Sequence, residues 1–519
     1  MIQRLERLCG WRALAAAFGL GLLAALAYPP VHALPVLLLS LPGLLILAGA
    51  AQNWRRAAVI GLFWGWGNFA GGLYWLTNAI LTDVARFWWL VPIAVPALSL
   101  PLGLFVAVPT AVARMVPAGW SRVLVFSGCW VLSELLRGVV FTGFPWNLMG
   151  SAWAFNALPL QGAAWFGVQG LSLLTVLAAC SPLLGWRAMG ASASALAAFG
   201  LFGWLRLSEP APAPRDVTLL LIQANIAQDL KWRPEARAMI LERYLEITRE
   251  ATQRAAAQLP PGHRMVVLWP EAAVPFLIAD DEDIRHLVAD ALPEGAILLA
   301  GTVRAEFGEG RRAQRIFNSL VAIDAAATVR AVYDKVHLVP FGEYMPLQGL
   351  IPIRLVTGGM DFSAGPGVRT LDVPGLPPFG PLVCYEVIFP AAVVGATRPE
   401  WLVNVTNDAW YGVSAGPYQH LATARLRAVE EGLPLARVAQ TGVSAVFDAY
   451  GRETGRIPLG TTGVLQVQLP GAIAPTLFSR FGLWIPGVLA VAMTMLGWIS
   501  GQRRKPKANM ARDPSVAQD

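Results

Sequence analysis

Long runs of apolar residues fill the first 206 positions of the chain and return once near its C-terminus. Each run is long enough to cross a hydrocarbon core of about 30 Å as a helix. The pattern predicts about eight transmembrane helices, seven before a long polar segment and one after it. The runs are 11–29, 33–50, 57–80, 87–111, 120–137, 158–185, 188–206 and 482–500.

The segment from 207 to 480 has a different pattern. It begins with "SEPAPAPRD" (208–216), whose prolines exclude a helix and indicate an extended linker. Short β-branched runs such as "VTLLLIQANI", "MVVLWPE" and "WLVNVTND" then alternate with helical stretches at 234–258 and 417–433. This alternation predicts an α/β domain, with layered α-β-β-α as the expected form.

Composition supports a membrane protein with a polar domain. Hydrophobic residues make up 55% of the chain, charged residues only 14%, and the mean hydropathy is +0.51, outside the usual range of soluble proteins. Before residue 207 the acidic residues are only Glu6, Asp83 and Glu134, and lysine is absent. We therefore divide the chain into a membrane domain (1–206), an outer α/β domain (207–480), an eighth helix (481–501) and a basic tail (502–519).

The basic residues predict the orientation, because cytoplasmic loops are enriched in Lys and Arg. In an eight-helix threading most of them fall on one side, which places both termini in the cytoplasm and 207–480 outside, in the periplasm of a bacterium. The net charge of +7 does not indicate nucleic acid, because the arginines lie at the ends of apolar runs, where lipid headgroups explain them better. The residues on the cytoplasmic side are Arg4, Arg7, Arg12, Arg55, Arg56, Arg114, Arg122, Arg187, Arg503, Arg504, Lys505 and Lys507, against Arg86, Arg137 and Arg206 on the other.

The chain has four cysteines, and their spacing predicts neither a disulfide framework nor a metal site. We expect no metal and no cofactor. Three of the cysteines lie at or inside apolar runs, whereas Cys384 stands alone in the polar segment, in "GPLVCYEVIFP" (380–390).

Three polar residues each follow a predicted strand, where active-site groups of layered α/β domains collect: Glu271, Lys335 and Cys384. A free thiol with a pKa of about 8.5 needs a base or a nearby cation to become a nucleophile. Glu271 could take the proton, and Lys335 could stabilise an oxyanion and favour the thiolate. His337 and His420 are the only plausible histidine partners, and neither lies in a cysteine-protease signature.

Each of these residues also has an ordinary structural explanation. Cys384 could be a small core residue, Glu271 an acid at a helix start after Pro270, and Lys335 a solvated lysine. Taken singly they are weak evidence, and it is their order and context that make a catalytic set.

That order and context resemble the nitrilase superfamily, whose Glu-Lys-Cys triad has the same sequence order. Longer motifs resemble the membrane-bound apolipoprotein N-acyltransferase family of Gram-negative bacteria. They are "LIQANIAQDLKW" (221–232), "WPEAAVP" (269–275), "KVHLVPFGEYMP" (335–346), "CYEVIFP" (384–390) and "NVTNDAWYG" (404–412). "GWGNFAGGLYWL" (65–76), "SELLRG" (133–138) and "TGFPWN" (142–147) are similar to the same family. The resemblance covers nearly the whole chain except the tail from 502.

The resemblance implies a multi-pass enzyme of the inner membrane, with its nitrilase-like domain in the periplasm. Such an enzyme transfers a fatty acyl chain from a phospholipid, typically phosphatidylethanolamine, to the N-terminal amino group of the diacylglyceryl-cysteine of apolipoproteins. The reaction would be ping-pong through a thioester on Cys384, with Glu271 as base and then acid and Lys335 as oxyanion stabiliser. We expect a monomer.

Further residues carry over by motif. Glu343 follows "PFG" and would lie close to the triad, where it could orient Lys335 or share its charge. Tyr385 and Glu386 match the pair after the nucleophile, and the amide of Tyr385 could donate to an oxyanion. Trp232 and Trp410 match aromatic positions near the acyl-chain entrance, although interface anchoring would also explain them.

Two features suggest contact with lipid. The stretch 341–362 is apolar for a loop, and we expect it to cover the site; an irregular core segment is the alternative. Glu134 and Arg137 lie three residues apart on one face of the fifth apolar run. Their role could be headgroup contact, support of the outer domain or a helix-end ion pair.

Two other functions remain open. A membrane-tethered amidase or nitrilase would use the same triad on a small amide or nitrile, although one helix would suffice as its tether. A transporter or scaffold with an inactive outer domain is the second, and the intact triad argues against it.

Overall fold

The computed structural model describes residues 2–81, 87–308, 310, 312–346 and 360–503. These residues form a helical region, comprising 2–207 and the last helix, and a two-sheet domain, comprising 217–476.

The helical region begins with a helix pair packed at very short range. A Cβ atom at Gly21 would overlap the carbonyl of Trp64, and one at Gly67 would overlap that of Phe18, so glycine allows the two backbones to approach. The helices are α1 Ile2–Glu6, α2 Gly10–Ala25, α3 Leu37–Ala50, α4 Trp54–Gly72, α5 Leu76–Leu81, α6 Val91–Leu102, α7 Leu104–Arg114, α8 Trp120–Arg137, α9 Ala157–Leu160, α10 Ala163–Cys180 and α11 Trp186–Leu207.

Four described helices are long and apolar enough to cross a membrane: Trp88–Arg114, Ala163–Leu184, Trp186–Leu207 and Trp484–Arg503. Gly10–Ala25 and Leu34–Ala50 are apolar but shorter. The predicted run 57–80 is interrupted, because α4 ends at Gly72 and a separate helix starts at Leu76. The described residues thus contain four candidate membrane-spanning helices, and the count of eight stays a prediction.

The two-sheet domain contains eleven strands in its described part. The first sheet has the order β11-β1-β2-β3-β4-β5 and the second β10-β9-β8-β7-β6. Strands β1, β2 and β3 are parallel, as are β6, β7 and β8. The strands are β1 Val217–Gln223, β2 Arg264–Trp269, β3 Ile297–Phe307, β4 Ala313–Asp324, β5 Val329–Asp334, β6 Phe379–Val383, β7 Trp401–Thr406, β8 Leu435–Ala439, β9 Ser444–Phe447, β10 Glu453–Ile457 and β11 Gly463–Gln468.

Helices cover the outer face of each sheet. The longer ones are α13 Arg237–Ala256, which packs on the first sheet, and α15 Gly416–Glu431, which packs on the second. The inner faces meet through residues such as Leu219 and Val403, so the predicted α-β-β-α layering is confirmed. The remaining helices are α12 Gln228–Lys231, α14 Glu282–Ala289, α16 Leu477–Phe481 and α17 Trp484–Arg503.

The two regions share one apolar core. Trp75 and Trp146 of the helical region belong to the same cluster of buried residues as Leu382, Tyr385 and Leu421 of the two-sheet domain. The end of strand β6, where Cys384 lies, therefore rests against the helical region rather than against solvent.

Candidate active site

Cys384 lies at a sharp bend between strand β6 and a short 3₁₀ helix, Cys384–Ile388. Its φ angle is +51°, in the left-handed region, a conformation that costs a residue with a Cβ about 1–2 kcal/mol. The side chain is only 6% exposed. A buried thiol on a strained bend is a feature of functional sites rather than of an ordinary core position.

Glu271 comes directly after strand β2 and Pro270, and both carboxylate oxygens have donors. Oε1 accepts from Asn318 Nδ2 at 2.6 Å and lies 3.7 Å from Lys335 Nζ. Oε2 accepts from the amide of Asn407 at 2.7 Å. The carboxylate is therefore buried and fixed in orientation, as a general base must be.

Lys335 follows strand β5 and is 1% exposed. Its ammonium donates to Glu343 Oε1 at 2.9 Å, and the other oxygen of Glu343 accepts from the amide of Val339 at 2.7 Å. Asn318 Nδ2 also reaches Glu343 at 2.8 Å, and so bridges the two carboxylates. Glu343 is thus fixed against the ammonium of Lys335, a geometry that fits the role expected for it.

Electrostatics keep the lysine charged and the thiol protonated. Burial opposes the ammonium of Lys335, but Glu343 and Glu271 outweigh burial, so its pKa is raised. Burial raises the pKa of the Cys384 thiol, Glu271 raises it further, and Lys335 lowers it by less. The expected effect of Lys335 is present, but burial and Glu271 outweigh it, so the pKa of the Cys384 thiol lies above its usual range.

Glu386 links the bend at Cys384 to the segment that contains Lys335 through hydrogen bonds. Its Oε2 accepts from the amide of Val383 at 2.7 Å, and its Oε1 accepts from the amide of Val336 at 2.7 Å. Tyr333 also donates to Oε1, at 2.9 Å. Burial raises the pKa of the Glu386 carboxyl. This residue is a structural brace between β5 and β6.

Tyr385 joins the site to the helical region. Its hydroxyl donates to the carbonyl of Gly143 at 2.9 Å, in the "TGFPWN" segment. Asn78 of the helical region donates to the carbonyl of Tyr411 at 2.7 Å. The helical region therefore forms part of the surroundings of Cys384.

Glu134 and Arg137 form hydrogen bonds with the backbone in and just after that segment. Arg137 donates to the carbonyls of Phe144 and Trp146 at 2.7 and 2.6 Å, and Glu134 accepts from the amide of Met149 at 2.8 Å. Both side chains are buried, so these contacts indicate that the pair holds this segment of the helical region rather than a headgroup.

Trp232 and Trp410 lie at the margins of the site. Trp232 is 51% exposed, and the Nζ of the neighbouring Lys231 lies 5.7 Å from its ring centroid. Trp410 is partly buried in the 3₁₀ helix Asp408–Tyr411. Most of the predicted cover 341–362 lies outside the described residues, but its two described ends meet where the amide of Phe362 donates to the carbonyl of Glu343 at 2.8 Å.

Sequence reasoning missed Lys231, which is fully buried and donates to the backbone carbonyl of Glu271 at 3.2 Å. Burial lowers its pKa to about 8, against the opposing charges of Glu271 and Cys384. A signal existed: the chain has four lysines, two in the tail and the other two at 231 and 335. Asn318 and Asn407 had no comparable signal in the sequence, because nothing in their spacing identifies them as hydrogen-bond donors to Glu271.

Among the described residues, no group of three or more His, Cys, Asp or Glu side chains is placed to hold a metal ion. The groups gathered here are a thiol, a buried carboxylate and a buried ammonium, with a second carboxylate that orients the ammonium. Such a set can carry nucleophilic acyl transfer through a covalent intermediate.

Two family models match the chain. Residues 20–181 match the apolipoprotein N-acyltransferase N-terminal domain, and residues 221–476 match the carbon-nitrogen hydrolase family. The gap between the matches, 182–220, contains α11 and the linker.

Similar proteins cover almost the full length. An apolipoprotein N-acyltransferase of Rhodopseudomonas palustris is 39% identical over 94% of this chain and 95% of its own. One of Bradyrhizobium diazoefficiens is 40% identical, with 94% of both chains covered. A solved variant of an amidase from Nesterenkonia sp. AN1 is 20% identical and covers 49% of this chain and 92% of its own, with a TM-score of 0.33. The resemblance seen in the sequence is confirmed: the chain belongs to the apolipoprotein N-acyltransferase family.

Proposed function

We propose that this chain transfers a fatty acyl chain from a phospholipid, with phosphatidylethanolamine as the expected donor, to the N-terminal amino group of a diacylglyceryl-cysteine on apolipoproteins. Cys384 is the nucleophile, Glu271 the base and acid, and Lys335 the oxyanion stabiliser. No cofactor takes part.

In the first half-reaction Cys384 Sγ attacks the ester carbonyl as Glu271 takes the thiol proton. The tetrahedral oxyanion is stabilised by the ammonium of Lys335, which Glu343 holds in place at 2.9 Å. The intermediate collapses as Glu271 returns the proton to the leaving oxygen of the lysophospholipid. An acyl thioester remains on Cys384.

In the second half-reaction the amine of the apolipoprotein attacks the thioester carbonyl. Glu271, again a carboxylate, takes a proton from the attacking nitrogen. The carbon–sulfur bond breaks, and Cys384 is restored as a thiol. The products are an amide on the lipoprotein and the free enzyme.

One observation favours this function over hydrolysis of a small amide. The hydroxyl of Tyr385, the residue after the nucleophile, donates a hydrogen bond to the carbonyl of Gly143 in the helical region at 2.9 Å. A domain that was merely tethered would not need its nucleophile bend built onto membrane helices. A site built there suits a substrate that arrives from the bilayer and a thioester kept from bulk water.

The test incubates the purified full-length chain in detergent with phosphatidylethanolamine and measures its intact mass. We expect an acyl adduct on the wild type and none on Cys384→Ala. Adding a diacylated lipopeptide should discharge the adduct and yield an acylated peptide. Cleavage of small amides without a lipid-derived adduct would favour the amidase instead.

We further propose the domain boundaries 1–206, 207–480, 481–501 and 502–519, with eight membrane spans, both termini in the cytoplasm, the two-sheet domain in the periplasm and a monomeric chain. The excess of arginine on one side of the helices supports this orientation. A protease site inserted in the linker 208–216 should be cut when protease is added outside spheroplasts. Cleavage only after lysis would show that the orientation is the opposite one. The molecular mass of the purified protein tests the prediction of a monomer.

A further inference from the structure

A buried histidine contacts the backbone of Cys384. The Nε2 atom of His420 is 3.1 Å from the backbone carbonyl oxygen of Cys384. A carbonyl oxygen only accepts, so Nε2 is the donor. His420 is fully buried in α15, and the proposed chemistry gives it no task.

His420 is itself fixed by charged groups. Its Nδ1 atom lies 2.9 Å from Asp408 Oδ1 and 3.1 Å from Arg437 Nη2. Arg437 also donates to Asp408 Oδ2 at 2.6 Å. Both ring nitrogens are therefore engaged, which leaves neither to act as a base for the thiol of Cys384.

The contact fixes one particular peptide group. In a trans peptide the C=O and N–H bonds point in opposite directions, so holding the carbonyl of Cys384 also aims the amide of Tyr385. That amide belongs to the first turn of a helix, where N–H groups have no intrahelical acceptor. Asn404 Nδ2 lies 3.5 Å from the same carbonyl as a second, weaker donor.

We propose that His420 is a positioning residue for acyl transfer: by holding the carbonyl of Cys384 it aims the amide of Tyr385 at the oxyanion of the tetrahedral intermediate. The left-handed bend at Cys384, with φ of +51°, is the conformation that this bond stabilises. The inference rests on the proposed role of Cys384 as nucleophile.

The helical region reaches the same histidine. The ring of Trp146 lies 5.3 Å from the ring of His420, centroid to centroid. Trp146 Nε1 also donates to the side chain of Gln419, the residue before His420, at 2.8 Å. The oxyanion site is thereby connected to the docking of the two-sheet domain on the helices.

The test compares two substitutions of equal length, His420→Gln and His420→Met. Glutamine can donate from the position of Nε2, whereas methionine cannot. We expect the rate of acyl-enzyme formation from phosphatidylethanolamine to stay within about threefold of wild type for glutamine and to fall about 100-fold for methionine, the usual cost of one oxyanion donor. Should His420→Met not fold, His420→Asn replaces it, since its shorter amide cannot reach Cys384.

A second measurement separates positioning from folding. Alkylation of Cys384 by iodoacetamide displaces iodide at a saturated carbon and forms no oxyanion, so its rate should be the same in both variants. Equal acylation rates for the two variants would overturn the inference, and so would a parallel loss of acylation and alkylation in His420→Met. His286→Gln, at an exposed histidine of α14, is the control for both rates. Absence of a Cys384 adduct in the wild type would instead refute the proposed function.

Discussion

At the residue scale, the site holds two buried lysines with opposite electrostatic behaviour. Lys335 is stabilised as an ammonium by Glu343 and Glu271, whereas Lys231 contacts a backbone carbonyl, and burial lowers its pKa to about 8. Retaining a poorly compensated buried charge costs stability, which is expected only where the charge has a use. We assign that use to the thiolate that forms on Cys384.

Lys231→Met should therefore lower activity without lowering stability. Acyl-enzyme formation should slow by about tenfold, because a cation beside the developing thiolate is lost. The thermal midpoint at pH 7 should stay equal or rise. The folded pKa of about 8 lies below the unfolded value of 10.5, so the native state binds fewer protons between these pH values and stability rises with pH there.

The measurement is thermal unfolding in detergent at pH 7 and pH 10, together with the acylation rate. The advantage of the variant at pH 7 should shrink at pH 10, where the wild-type lysine is largely neutral. Arg233→Met, at an exposed residue paired with Asp229, is the control for charge alone. A midpoint several degrees below wild type at pH 7 would contradict this account.

The strand-end positions of Glu271, Lys335 and Cys384 were predictable from the sequence, because each residue follows a recognisable strand within a long motif; their roles as a triad stay a prediction. His420, Asp408 and Arg437 were not predictable, since they come from three separate elements and meet only after the second sheet and α15 have packed. A buried polar network has no periodicity of its own, so its members resemble ordinary core or surface residues in a linear reading.

At the element scale, most strands of the two-sheet domain were predicted by their β-branched runs. Strand β8, Leu435–Ala439, was missed because "LARVA" contains one β-branched residue and an arginine. That arginine, Arg437, is buried by pairing with Asp408 at 2.6 Å, a compensation that only the folded structure reveals. Helix ends were also displaced, as where α4 stops at Gly72.

Helix α10 contains a break that the apolar pattern did not indicate. Gly167 has φ of +67° inside Ala163–Cys180, and the helix resumes at Val168, whose amide donates to Glu430 at 2.8 Å. A carboxylate of the two-sheet domain thus caps the N-terminus of a membrane helix segment. A Cβ atom at Gly167 would overlap the ring of Phe478.

Gly167→Ala should destabilise the protein by about 1–3 kcal/mol through the positive φ alone, which corresponds to a fall of about 1–3 °C in thermal midpoint for a chain of this length. Gly190→Ala is the matched control, because that helical glycine in α11 has nothing within 4 Å of a Cβ atom. Its midpoint should be unchanged or higher, since alanine is the better helix former. Equal midpoints for the two variants would show that the break carries no constraint.

At the scale of the whole molecule, the division into a helical and a polar part was predictable from hydropathy, but the contacts between the parts were not. Gln419 accepts from Trp75 at 3.0 Å and from Trp146 at 2.8 Å, and the side chain of Gln161 donates to the carbonyl of Tyr450 at 2.8 Å. These bonds join residues hundreds of positions apart, so no local pattern encodes them. We therefore expect these bonds to hold the helical region and the two-sheet domain together even when the covalent linker is cut.

Cutting the linker should therefore leave a working enzyme. With a protease site inserted after Ala211, cleavage in mild detergent should give two fragments that elute together and still form the acyl adduct on Cys384. The reason is that α17 packs on α8, where Thr494 lies 3.9 Å from Cys129, while Glu430 and Gln419 hold the two-sheet domain on the helices. The double variant Gln419→Leu, Glu430→Leu should let the cut fragments separate at a lower temperature than the cut wild type. Separation of the cut wild-type fragments at 20 °C would mean that the covalent linker, rather than the buried contacts, holds the site together.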